Sequence, residues 1–421
     1  MTRDEGRSKR TVVPERRGKV PGLTGIVATS TLVQALASMA ILTVPAVAPS
    51  VAASLGVPAA AVGFQISLLY LAATVASLFG GTLIRRYGAC RTSQLCMAAT
   101  ALGCAIAAVP TVPTLALGSL IMGAAYGLPN PAASHLLVRH TPPAHRNLVF
   151  SIKQTGVPLG GVAAGLLAPP VTAAFGWQAA LILVAVAAAA AVLVEQPMRA
   201  RLDDDRDPGA PLLRLPLEGL AAVVRQAPLR RLSLAAFCFS GVQLCVMGFL
   251  VVLLVEELGV DIITAGVVLA AVQAAGVAGR MLWGLVADRA GDGLLVLAGL
   301  GLVMTGTAAA VTVLPAGAPL ALVAAIALLL GLTAIGWNGV FLAEVARLSP
   351  PGAISSVTGS AMMVTFLGVM VAPTAFALLH DQLGSYRSGY GLLALLGFAG
   401  MLLTIAARRG APVARPPAPR P

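Results

Sequence analysis

The sequence predicts an all-α integral membrane protein with twelve transmembrane helices in two pseudo-symmetric six-helix halves. Three observations carry that expectation. Hydrophobic residues make up 58% of the 421-residue chain and charged residues 10%, with a mean hydropathy of +0.90; a soluble domain cannot hold that balance without exposing apolar surface. Apolar runs of about 20 residues, the length that crosses a hydrocarbon core, recur with short polar or Gly/Pro breaks between them. One long polar interval, 196–231, lies near the middle and holds seven Arg, four Asp and five Pro, so it cannot cross a bilayer itself.

Taken in order, the chain divides into a basic tail (1–22), an N-terminal six-helix half (23–195), the linker (196–231), a C-terminal six-helix half (232–407) and a second tail (408–421). The expected spans are 24–49, 59–83, 93–110, 114–138, 149–174 and 177–195, then 232–255, 262–286, 293–314, 318–346, 355–380 and 389–407. Each must satisfy its own backbone hydrogen bonds in lipid, so each is expected to be a helix. The first apolar run is long enough to span and has no small-residue cleavage site after a short core, which marks a retained helix and not a cleaved signal. The five cysteines (Cys90, Cys96, Cys104, Cys238, Cys245) lie in or beside spans without metal or redox spacing and read as small apolar packing residues.

The net charge of +12 marks a side of the membrane and not a nucleic-acid partner. With the N-terminus cytoplasmic, twenty-five of the twenty-eight Lys and Arg fall in the tails, the linker and the loops of one face, while the opposite loops hold Arg387 alone. That is a positive-inside pattern, which predicts both termini in the cytoplasm and a multi-pass protein of the plasma or inner membrane. The basic tail is expected to contact anionic lipid and the C-terminal tail to be disordered.

The two halves repeat each other. The stretch Gly81–Gly88 (GTLIRRYG), after span two, aligns without gaps on Gly284–Gly291 (GLVADRAG), after span eight, and RHTPP from Arg139 aligns on RLSPP from Arg347. Two matched loops at nearly constant offset indicate an internal duplication, which predicts a ligand path between the halves near the midplane.

At these residues the sequence resembles the major facilitator superfamily of transporters. The family's loop signature is matched by Gly81, Leu83, Arg86, Gly88 and Arg91, and again by Gly284, Asp288, Arg289 and Gly291. In the first copy Arg85 stands where the family usually has Asp, so the family's acid-mediated latch is expected in the second half, at Asp288, and not in the first. The resemblance implies secondary active transport by alternating access, with these loop residues in gating roles, no cofactor, and a monomer in the lipid bilayer.

Charges inside hydrocarbon cost several kcal/mol unless they meet water or a partner, so they are the first candidates for a site. Arg280 lies eight residues before Asp288, about 12 Å into span eight, and Lys153 lies seven residues after Arg146, about 10 Å into span five. By the loop offsets they correspond to Ser77 and Ala361, so neither charge is duplicated. Gly279-Arg280 with Gly284, Asp288 and Arg289 is similar to span eight of facilitators that carry monocarboxylates and oxalate, where the arginine binds the carboxylate. A guanidinium suits that task because its planar fork gives two parallel bonds, whereas an ammonium is a point charge.

Neutral polar residues complete a candidate lining: Gln34 with Ser30 and Ser38 on one face of span one, Tyr126, Asn130 and Ser134 on one face of span four, Gln273 on the face of Arg280, Ser240 and Gln243 in span seven, and Trp337 and Asn338 in span ten. In span five, Gly156, Gly160, Gly161 and Gly165 allow close helix approach and Pro158 offers a bend. This run is similar to the Gly-Pro-x-x-Gly-Gly motif of drug–proton antiporters, although Val157 separates Gly156 from Pro158. Glu344 and His135 are expected at the membrane interface, and no acid lies deep in any span.

The leading expectation is a transporter of a small organic anion, a carboxylate, coupled to protons. Arg280 would bind it, Lys153 would assist, and Gln34, Tyr126, Asn130, Gln243 and Asn338 would orient it. The alternative is a drug or metabolite/proton antiporter. An enzyme is disfavoured because no paired His, Asp, Glu or Cys suited to a nucleophile or metal appears at depth, and a sensor because the tails and linker are too short to fold a signalling domain.

Overall fold

The computed structural model describes residues 22–57, 61–211, 217–315 and 317–411, with the side chains of 61–64 and 262–263 left aside. The basic tail 1–21 and the end of the C-terminal tail, 412–421, lie outside the described residues, as does 212–216 of the linker. Every described regular element is helical.

The first half consists of Leu23–Ala46, Ala61–Tyr87, Ala89–Ala107, a fourth span split into Val112–Tyr126 and Pro129–His140, a fifth split into Arg146–Gln154 and Gly156–Phe175, and Trp177–Glu195. The second consists of Ala227–Glu256, Ile262–Ala290, Gly293–Val313, a tenth span split into Leu320–Ala334 and Asn338–Leu348, Ile354–Leu383 and Tyr386–Gly410. Eleven of the twelve are long and apolar enough to cross a membrane by length and composition. The remaining one, Ala89–Ala107, opens on Arg91, Thr92, Ser93 and Gln94, and takes its place by packing on Val112–Tyr126 and Trp177–Glu195.

Three spans expected as single helices are therefore interrupted, two of them beside a proline. Span four stops at Gly127 and restarts on Pro129, which lacks an N–H and suits a first helical turn. Span five breaks at Thr155, where Pro158 cannot donate to the carbonyl of Gln154 four residues earlier. Span ten breaks across Ile335, Gly336 and Trp337. Span seven starts at Ala227, inside the interval read as linker, because Pro228 opens its first turn. The linker is itself partly helical, with Arg199–Leu202 and Leu217–Arg225.

The halves close on each other at the arginine-rich end. Spans two and eleven pack together, as do Arg146–Gln154 of span five with span eight and with Asn338–Leu348 of span ten. Close approach requires glycine here: a Cβ on Gly81 would lie 2.6 Å from the Ser356 Cα, and one on Gly284 would lie 2.5 Å from the Ser151 hydroxyl. Asp288 accepts from the backbone N–H of Asn147 (3.0 Å) and Leu148 (2.9 Å) and from the Asn147 side chain (2.9 Å), so it caps the N-terminus of Arg146–Gln154 across the two halves.

In the first copy Arg85 pairs with Glu218 of the linker helix at 3.0 Å, and Arg86 donates to the Ala210 carbonyl at 2.6 Å. The linker also supplies a carboxylate to this loop. Asp203 accepts from the N–H of Cys90 (2.8 Å) and Arg91 (2.9 Å), packed where any side chain at Gly88 would stand, and Gly88 itself has φ +92°. The linker thus supplies the carboxylates that fasten the first loop. Arg139 forms a two-pronged bond to Asp204 and His135 meets Asp205 at 2.7 Å, both at this end. Arg289 lies in the last turn of span eight. Glu344, expected at the interface, is 3% exposed and paired with Arg347 at 2.6 Å.

Removing the Asp288 cap leaves two N–H groups without their partner, at a cost of about 1–3 kcal/mol. Asp288→Ala is expected to lower the Tm of the purified protein and to speed amide hydrogen exchange across 146–154; unchanged exchange there would show that the cap does not hold the halves together.

Candidate functional site

The breaks in spans four, five and ten fall at one level of the bundle and surround the two intramembrane cations. Lys153 is 1% exposed at the end of the inner helix of span five. Its ammonium donates to three amide oxygens: Gln34 Oε1 at 2.7 Å, Asn130 Oδ1 at 2.5 Å and Gln154 Oε1 at 3.0 Å. All three donors of the group are used, and none meets a carboxylate.

Arg280 is also 1% exposed. Its Nε donates to the Ile335 carbonyl at 3.1 Å, and one terminal nitrogen donates to the carbonyl of Gln154. Both acceptors exist because the helices break. Pro158 deprives the Gln154 carbonyl of its helical donor, and Ile335 caps the outer helix of span ten. Gln154 therefore joins the two charges, its side chain on Lys153 and its backbone on Arg280. The Arg280 bond to Gln154 crosses from one half to the other.

Around this pair lie two cavities that share Leu42, Val157, Gln243, Met247 and Arg280. The inner, of about 120 Å3, is bordered by Tyr126, Asn130, Gln154, Gln243, Asn338 and Arg280 among others. Gln243 Oε1 accepts from Trp337 Nε1 (3.2 Å) and Asn338 Nδ2 (3.0 Å), which fixes its amide. Tyr70, Tyr126 and Phe366 form an aromatic triad with centroids 5.8–6.2 Å apart, and Asn130 Nδ2 reaches the Met362 sulfur across the halves at 3.7 Å. The outer cavity, of about 550 Å3, lies on the far side of Arg280 from the closed end.

The structure brings Arg280, Tyr126, Asn130, Gln243 and Asn338 to the same cavity wall. It places Lys153 and Gln34 behind that wall: neither lines either of these two cavities, and Asn130 and Gln154, which hold the ammonium, border the inner one in its place. Of the span-one face, Ser38 borders the inner cavity while Ser30 lines a small crevice beside Cys90 and Glu195. Gln273 lines the outer cavity with Arg280. In span five, Gly156 and Gly160 pack on the backbone of span one, and Pro158 and Gly161 border the outer cavity. Sequence reading missed Gln154, Tyr70, Phe366, Met247 and Met362; for Gln154 the signal was present, since a proline four residues on frees its carbonyl. The five cysteines are buried and unpaired.

A fold of two six-helix halves, closed at one end around a buried polar centre, defines a membrane transporter. The Major Facilitator Superfamily model matches residues 28–373, and the chain belongs to that family; it is a transporter rather than an enzyme. Its structure is similar to that of the human organic anion transporter MFSD10 (TETRAN), with a TM-score of 0.76 and 15% identity over 91% of this chain and 100% of that one. It is also similar to FucP in the outward conformation (TM-score 0.71, 18% identity, 92% and 99% covered) and to the proton:xylose symporter XylE (0.71, 14%, 90% and 94%). Among curated proteins, no sequence matches.

Replacing Lys153 with Met strands three buried amide oxygens. Lys153→Met is expected to cost about 1–3 kcal/mol of stability, read as a fall in Tm in detergent; a variant as stable as the wild type would mean that Gln34, Asn130 and Gln154 pair among themselves.

Proposed function

We propose that the protein is a secondary active transporter of a small organic anion bearing a carboxylate, moved in symport with protons as the two halves rock about Arg280. The observation that carries this reading is the pair of buried cations, Lys153 and Arg280, held by amide and carbonyl oxygens with no carboxylate partner among the described residues. Such a site keeps its positive potential in a medium of low dielectric and favours an anion. Arg280 borders both cavities and offers the ligand its remaining guanidinium edge. Gln243, Asn338, Tyr126 and Asn130 supply hydrogen bonds around it.

Lys153 acts from behind, through Asn130 and Gln154. Gln34 holds the same ammonium. An anion that draws Arg280 away from the Gln154 carbonyl loosens a contact between the halves, which couples binding to their movement. The loop residues Gly81, Arg86, Gly88, Gly284, Asp288 and Arg289, with the span-five residues Gly156, Pro158, Gly160 and Gly161, set where the halves meet and bend. With the arginine-rich end in the cytoplasm of a cell membrane, the site is closed to the inside and the larger cavity faces outward. No deep acid marks a proton carrier, and a carboxylate can bring the proton as its own acid form.

Uptake of radiolabelled mono- and dicarboxylates into proteoliposomes under an imposed pH gradient tests the reading. One acid is expected to accumulate. Arg280→Ala is expected to abolish its uptake, and Arg280→Lys to lower it at least about tenfold because the fork is lost. If no acid moves, or if Arg280→Ala transports like the wild type, Arg280 is a structural staple and export of drugs or metabolites takes first place.

A further inference from the structure

Beyond the Arg280–Gln154 contact, the two helix pairs that join the halves behave differently. Spans two and eleven stay together from Gly81 against Ser356, through Ser77 and Gly359, to Tyr70 against Phe366 at 5.8 Å between ring centroids. Tyr70 lies fifteen residues before Arg85, about 22 Å from the loop by helical rise. Spans five and eight meet at Asn147 with Asp288, Ser151 with Gly284 and Gln154 with Arg280, the last about 12 Å from the loop. The outer helix Gly156–Phe175 has no extended packing against span eight, and turns instead to span one and span six.

The 550 Å3 cavity fills that one-sided gap. Its walls include Leu42, Val157, Val162, Ala270, Ala274 and Val277, and the polar residues that line it are Arg280, Gln243 and Gln273. Val162, at its edge, is 55% exposed. The space therefore has one charged end and an apolar body, and its volume suits a ligand larger than a two- or three-carbon acid.

Resting on the reading of Arg280 as an anion site, we propose that the substrate is a monocarboxylate with an apolar body, its carboxylate on Arg280 and its body in the gap between Gly156–Phe175 and span eight. A second carboxylate would meet aliphatic walls and only the neutral amides of Gln243 and Gln273, with no second cation lining the cavity to offset its lost hydration, and a polyhydroxylated ligand would leave most of its hydroxyls unbonded there. The apolar body gains by leaving water in proportion to its buried area.

Equilibrium binding of three radiolabelled anions to the full-length protein in lipid nanodiscs tests the proposal: 4-phenylbutanoate, propanoate and hexanedioate. The wild type is expected to bind 4-phenylbutanoate at least about tenfold more tightly than either of the others. Val162→Trp, which fills the gap away from Arg280, is expected to remove that preference while leaving propanoate binding unchanged, so that propanoate reports that the protein is folded. Val186→Trp, on the exposed face of Trp177–Glu195 and away from both cavities, is expected to keep the preference. Equal or tighter binding of hexanedioate, or a preference that survives Val162→Trp, overturns the proposal. Propanoate binding that needs Arg280 but gains nothing from the phenyl group sinks this proposal alone; binding of all three anions that survives Arg280→Ala sinks the anion site as well.

Discussion

The structure depends on keeping two positive charges at the centre of a lipid-embedded bundle with no acid among the described residues to neutralise them. The solution is a set of oxygen dipoles. Lys153 takes the side-chain oxygens of Gln34, Asn130 and Gln154, and Arg280 takes two backbone carbonyls. In an intact helix each carbonyl already has a backbone donor, whereas a carbonyl at an interruption has none and can turn wholly to a buried cation. The breaks in spans five and ten are therefore part of the site's electrostatics: without Pro158, the Gln154 carbonyl would belong to its own helix.

The same contacts fix how the halves meet. Arg280 reaches across to Gln154, and a few turns away Asp288 caps the helix that carries Lys153 and Gln154, so span eight grips span five at both its end and its centre. The counterpart in the first half has been given to the linker, where Glu218 takes Arg85 and Asp203 takes the start of span three. An internal duplication has thus kept its helices and changed its fastening. Such surface ion pairs contribute little stability singly; their role here is to seat the linker against the arginine-rich end.

Much of this was legible in the chain. An Arg and a Lys inside apolar runs identified themselves by cost, and the repeated loops located the two halves and the face on which they close. Arg85 was visible as a departure from the repeat, but its partner Glu218 lies 133 positions away and nothing local pairs them. Prolines at 129 and 158 and Gly336 announced breaks that a window of twenty apolar residues averages over. The polar start of Ala89–Ala107 hid four residues of span three, because Arg91 and Gln94 are tolerated where the helix meets the linker, with Gln94 donating to the Val192 carbonyl and to Gln196.

Composition and order along the chain determined that this protein lies in a membrane, how many times it crosses, the duplication of its halves and the identity of its buried charges, because hydropathy, charge placement and repeats are properties of contiguous sequence. Tertiary structure alone decided that Lys153 stands behind the cavity wall while Arg280 borders the cavity, and that spans five and eight separate where spans two and eleven do not. Those outcomes turn on contacts such as Arg280 with Gln154, 126 positions apart, and on how far two helices from different halves stay within packing distance. No local pattern encodes that distance.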